Sequence, residues 1–204
     1  MNTYNSKFQR PIQIVLSAIM FSFIACERGS VVPLNSWGYM KAKVNGRDWQ
    51  KTYSNAYQTV RGSTTKPDFA NCFIKSIYIY SMLQDSEGVL QQILGFGKIP
   101  PKPGRYKVIP YNETTCKDSL SVNASLETFI DEDIFRDRYD LLPLEENYLQ
   151  LNEYQENGSM EVKGTFSVSF VLRSKRYPNS YEDTLRFTNG RFHTKIVIPV
   201  KRHL

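Results

Sequence analysis

Histidine is almost missing from this chain: there are two in 204 residues, His203 at the extreme C-terminus and His193 on a strand-like stretch where it alternates with Arg191, Lys195 and Val197. No zinc site and no Ser-His-Asp relay can be assembled from that pair. Cysteine is nearly as scarce, with three copies, and none has a nearby histidine to activate its thiol. The longest apolar run, Ile12 to Ala25, is about fourteen residues, short of the roughly twenty that a membrane-spanning helix needs, and no stop-transfer cluster of basic residues follows it. Basic residues never gather either. The formal net charge is +6, about +4 once Lys7 and Arg10 are discounted with a leader, and Arg61, Lys75, Lys98, Lys117 and Arg136 stand apart, each near turns or acids. A nucleic-acid partner is therefore not expected. Internal repeats, low-complexity tracts and a strand-helix-strand rhythm are all lacking.

What the sequence does contain begins with a positive N-terminal region that runs into the apolar stretch and stops at Phe23-Ile24-Ala25-Cys26. That ending resembles the lipobox of bacterial lipoproteins, although Phe at minus three and Ile at minus two depart from its commonest Leu-Ala/Ser form. The expectation is a signal peptide over 1–25, a lipid-bearing Cys26 with a tether over 26–36, and one domain over 37–204. Acyl chains on Cys26, palmitate among them, would make the membrane a partner, since each buried methylene contributes about 0.8 kcal/mol. The address is then the outer membrane. Its face stays open, because no Asp at plus two and no acidic run follow the cysteine. Cys72 and Cys116 remain as an even pair in an oxidising compartment, where they could form a disulfide or stay as two separate thiols.

From Trp37 onward the pattern has a period of two. Met160, Val162, Gly164, Phe166, Val168, Phe170 and Leu172 point one way and mostly polar residues the other. Thirteen Tyr and twelve Phe suit strands. Further strands are expected at 39–44, 47–50, 56–61, 73–83, 89–96, 104–109, 120–126, 148–154, 184–189 and 191–200. Asn45-Gly46, Asn157-Gly158 and Asn189-Gly190 are read as hairpin turns, with further breaks at 85–88 and 100–104. One short helix is expected near 128–139, with acids early and apolar residues at spacings of three and four. The fold class is all-β, an antiparallel two-sheet sandwich, with a closed lipocalin-like barrel as the alternative.

Taken in order, Ala42-Lys43-Val44-Asn45-Gly46 with Trp49, Gly104-Arg105-Tyr106, Asp131 to Asp133 ahead of Tyr139, 147–151, Gly164-Thr165-Phe166-Ser167 and Thr188-Asn189-Gly190-Arg191-Phe192 resemble small Bacteroidota cell-envelope lipoproteins made of one β-rich domain of unknown function. That resemblance implies a fold and a location but no site. No catalytic residue, metal ligand or cofactor is assigned. Tyr53, Tyr57, Tyr177 and Tyr181 in or beside loops, and Tyr78 with Tyr80 on one strand face, are candidate ligand-binding aromatics; Trp37 and Trp49 read first as core or hairpin-clasp residues. Asp118-Ser119-Leu120 and Asp183-Thr184-Leu185 resemble O-glycosylation triplets of Bacteroidota envelope proteins, at Ser119 and Thr184. The leading functional reading is a non-enzymatic binding module for a glycan, peptide or protein partner. Two others stay beside it: a hydrolase built from the carboxylates between Asp131 and Glu146, such as a glycosidase, and a structural component of envelope assembly.

Overall fold

The computed structural model describes residues 35–51, 56–65, 75–110, 121–131, 134–155, 160–175 and 182–197, all within the compact unit Val32–Leu204. Eleven strands carry it: β1 (Tyr39–Val44), β2 (Arg47–Asp48), β3 (Tyr57–Thr65), β4 (Ser76–Gln84), β5 (Leu90–Ile99), β6 (Gly104–Ile109), β7 (Val122–Asp131), β8 (Ile134–Leu141), β9 (Tyr148–Tyr154), β10 (Glu161–Lys175) and β11 (Thr184–Val197). One 3-10 turn, Trp49–Lys51, follows β2. No helix among the described residues is long and apolar enough to cross a membrane.

A two-sheet sandwich is not confirmed. All eleven strands belong to one mixed sheet. Antiparallel pairings link β3 to β4, β4 to β5 and β5 to β7, then β6 to β9, β9 to β10 and β10 to β11. Two short parallel seams join these runs, β6 with β7 through Val108 and Ile109, and β11 with β3 through Ile196 and Val197. The pairings thus lead from β11 round to β11 again. Parallel seams escape sequence reading because they join segments remote in the chain and need no turn signal.

The β11–β3 seam covers only two residues of each strand, and side chains and loop backbone extend it. Met40 on β1 is fully buried, and its N–H donates to Gln58 Oε1 at 3.2 Å while its carbonyl accepts from Gln58 Nε2 at 2.5 Å. One carboxamide thus imitates a rung of ladder between β1 and β3. Just upstream, the Trp37 N–H donates to the Val60 carbonyl at 2.9 Å.

The helix expected near 128–139 is corrected to a β-hairpin: Thr128 and Phe129 lie in β7 and 134–139 in β8. Asp137, Tyr139 and Leu141 are buried in alternation with exposed Arg138 and Asp140, a period of two. The apparent helical spacing arose because the hairpin sets Phe129 opposite Phe135, rings 5.0 Å apart. Pairing of β8 with β10 on its other side decides the matter, since a helix over 128–139 would leave Leu172, Ser174 and Lys175, which lie beyond the reach of β11, without ladder partners.

Asn189-Gly190 is likewise corrected from a turn to a bulge. Residues 184–197 form one continuous strand; Asn189 takes φ +53°, and the registers with both β1 and β10 shift across it. A left-handed residue can kink a strand as readily as reverse it when partners wait on both sides. Asn45-Gly46, with φ +47° and +83°, is the hairpin turn expected between β1 and β2. Asn157-Gly158 lies outside the described residues.

Within the core, β10 and β11 share a reciprocal fit. Phe166 pairs with Gly190 and Gly164 with Phe192 across β10 and β11. A Cβ on Gly190 would sit 2.6 Å from the Phe166 ring, and one on Gly164 2.4 Å from Phe192. Each ring therefore occupies the space the opposing glycine leaves. Phe166 then meets Phe96 at 5.0 Å, and Phe187 takes Trp49 and Phe170 edge to face. Trp49 is fully buried, its Nε1–H on Gln92 Oε1 at 2.8 Å, so it is a core residue.

Candidate functional site

Strand β4 sends Ile77, Ile79 and Leu83 into the core and leaves Tyr78, Tyr80 and Met82 half-buried on the other face. Its antiparallel neighbours decide what joins that face, because cross-strand partners lie side by side. Opposite Tyr80 stand Arg61 on β3 and Gly95 on β5; opposite Tyr78 stands Ser63. The glycines of β5 make room for a ring: a Cβ on Gly95 would lie 2.6 Å from the Tyr78 hydroxyl, and one on Gly97 3.4 Å from the Tyr78 ring. Tyr78 thus reaches across β5 to hydrogen-bond Ser125 on β7. Burial first, then the negative charge of Glu127 and the neighbouring Tyr80, push its phenol above the usual range. Its ring lies 5.4 Å from that of Tyr80.

Trp37 completes the strip from the other side. Ser36 Oγ accepts from the Val60 N–H at 2.9 Å and donates to the Gly38 carbonyl at 2.7 Å, which with the Trp37 backbone bond fixes this segment along β3. The Arg61 guanidinium then lies over the indole, 4.9 Å from the ring centroid. Between them opens a shallow cleft of about 160 Å³, lined by Trp37, Arg61, Gly62, Ser63, Tyr80 and Val197. Four other arginines hold carboxylates, Arg47 with Glu182, Arg105 with Glu146, Arg173 with Asp140 and Arg186 with Glu145, while exposed Arg138 lies over the Phe135 ring at 5.0 Å. Among the described residues no carboxylate pairs with Arg61, and its Nε–H is shielded from solvent with no acceptor.

No family model, curated protein or solved structure matches the chain. Its site is accordingly read from its own geometry. Of the aromatics picked out in loops, Tyr57 opens β3, exposed, opposite Gln84 and four residues before Arg61. Tyr53, Tyr177 and Tyr181 lie outside the described residues, as do Cys26, Cys72, Cys116 and Ser119. Thr184 begins β11 in a half-buried position, its carbonyl accepting from Asn45 Nδ2 at 2.8 Å.

Glu145 and Glu146, two of the carboxylates considered for hydrolysis, are occupied with the framework; the side chains of Asp131, Glu132 and Asp133 lie outside the described residues. Glu145 accepts from Ser169 Oγ at 2.5 Å and from Arg186 at 2.8 Å, and the Ser169 bond, then Arg186, hold its carboxyl below the usual range. A general acid needs the opposite shift. Glu146 pairs with Arg105 at 2.6 Å, and Asp137 is buried in β8 with its backbone N–H on Thr128 Oγ1 at 3.0 Å. His193 faces outward against Glu161, 2.9 Å from Nε2. Sequence reasoning found Tyr78 and Tyr80 but missed Arg61 and Trp37 as their companions. Only the strand register unites them, and register is a long-range property.

Proposed function

We propose that this chain is a lipid-anchored envelope protein of the small Bacteroidota type, held at the outer membrane through Cys26, and that it is a non-enzymatic binding module. Its recognition surface is the strip Trp37, Arg61, Tyr80 and Tyr78. The observation that carries this reading is the Arg61 guanidinium, stacked on Trp37 without a carboxylate and bordering a cleft beside Tyr80. Two aromatic faces and a free planar cation make a preorganised contact surface of the kind that dominates interface energetics. The scaffold behind it is read as the lipocalin-like closed barrel, a reading supported by the circuit of pairings from β11 back to β11.

The test is a screen of the purified protein against arrayed glycans and peptides, run beside hydrolysis assays on the same compounds. Saturable binding that Trp37→Ala weakens at least tenfold, with no turnover, supports the module. Turnover of any substrate rejects it in favour of the hydrolase. Incorporation of labelled palmitate that disappears in Cys26→Ser supports the anchor separately.

A further inference from the structure

Resting on that reading of the cleft, we infer that its ligand is an acidic saccharide, bound with one carboxylate or sulfate on Arg61 and its sugar rings laid along Trp37, Tyr80 and Tyr78. The charge comes first. A guanidinium partly withdrawn from water and left without an anion is a costly arrangement unless a ligand completes it, and the Arg61 Nε–H has no acceptor among the described residues. Because the group is planar and already held on the indole, it presents its remaining edge in a fixed orientation suited to two-point contact with a carboxylate or sulfate.

Size and direction argue for a polymer of rings. At about 160 Å³ the cleft is smaller than the roughly 300–1,000 Å³ of sites that enclose a small molecule, so it takes one ring or one anionic group of something longer. Beyond it the aromatic surface continues from Tyr80 to Tyr78, 5.4 Å on. At the far end Glu127, whose charge is felt at Tyr78, stands opposite Arg138 on β8, so the charge within the strip itself is that of Arg61.

Other anionic partners fit less well. A peptide recognised by strand addition needs a free sheet edge. Here β4 lies between β3 and β5, which already use its backbone groups. An anionic membrane surface is attracted by clustered lysines and arginines, whereas this strip holds one unpaired arginine and ends near an acid.

The full chain, purified in detergent micelles, would be tested by biolayer interferometry against galacturonan, hyaluronan, chondroitin sulfate and dextran sulfate. Methyl-esterified galacturonan, carboxyl-reduced hyaluronan and neutral dextran are the uncharged counterparts. At least one acidic polymer is expected to bind, with a loss of about tenfold or more when its charge is removed and a similar loss in Arg61→Gln, the scale of one charge-assisted contact. Arg61→Lys should recover part of that loss, which keeps the test valid if the glutamine variant folds poorly. Lys107→Gln, at an exposed position of β6 away from the cleft, should change affinity less than twofold; a loss equal to that of Arg61→Gln would mean diffuse attraction and overturn the inference. Equal binding of charged and uncharged forms, still weakened by Trp37→Ala, would overturn the anionic specificity and leave the binding cleft standing. Silence across every polymer would overturn both. Arg61-dependent capture by phosphatidylglycerol vesicles, with the polymers silent, would replace the saccharide with a lipid headgroup.

Discussion

Replacing Gln58 with alanine tests whether a side chain closes the seam between β1 and β3. In the native protein its carboxamide accepts from the Met40 N–H and donates to the Met40 carbonyl and to Ser81 Oγ at 3.1 Å. Met40 has no exposed surface, so water cannot readily take over. Each buried polar group left without a partner costs about 1–3 kcal/mol. The Met40 carbonyl keeps a weaker bond from Gln50 Nε2 at 3.2 Å, which leaves the N–H as the main orphan. The expected total is about 2–4 kcal/mol, equivalent to a fall in Tm of roughly 6–12 °C for a domain of this size. Gln58→Glu adds a signature of its own. At neutral pH a carboxylate can still accept from the N–H but faces the Met40 carbonyl with a second oxygen, so its folded-state pKa is raised. The destabilisation should therefore be full above that raised pKa and shrink as pH falls through it. Urea and thermal denaturation of both variants between pH 4 and pH 8 would decide. A loss under about 1 kcal/mol in the alanine variant would refute the claim that this amide substitutes for a rung of ladder.

Glycine substitutions should separate crowding from backbone strain. Gly164→Ala, where a Cβ would lie 2.2 Å from the Gln150 carbonyl and 2.4 Å from Phe192, is expected to cost more than about 3 kcal/mol. Gly46→Ala, at φ +83° with open space around it, should cost about 1–2 kcal/mol; equal urea midpoints would contradict the packing account. Glu145, held below the usual carboxylate range by Ser169 and Arg186, contributes stability that is present above its unfolded pKa and lost as pH falls through its folded one. Glu145→Gln should flatten that acid limb of the stability profile, and an unchanged slope would reject it. Tyr78→Phe removes a hydroxyl bonded to Ser125 and should lower by one the number of phenols that titrate above the usual range in an ultraviolet pH scan; an unchanged number would assign that titration elsewhere.

Much of the framework was legible without coordinates. Strands 39–44, 104–109 and 148–154 fall at the bounds that alternation alone suggests, and Asn45-Gly46 turns as its chemistry requires. The misreadings share one cause. At 128–139 and at Asn189-Gly190 the local signal was compatible with two conformations, and partners far along the chain chose between them: β10 for the hairpin, β1 and β10 for the bulge. The same holds for the cleft. Tyr78 and Tyr80 could be placed on one face by counting residues, but Arg61 looked like an isolated surface base until β3 was set against β4.

The sequence by itself determined that this protein is made of strands, which faces of those strands are apolar, and that the chain turns at Asn45-Gly46, because side-chain alternation and left-handed turn residues act over a few positions. Tertiary structure decided the order of the strands, the two parallel seams, the fit of Phe166 and Phe192 onto opposing glycines, and the meeting of Trp37, Arg61 and Tyr80. Those depend on which distant backbones share hydrogen bonds, and no local preference encodes that.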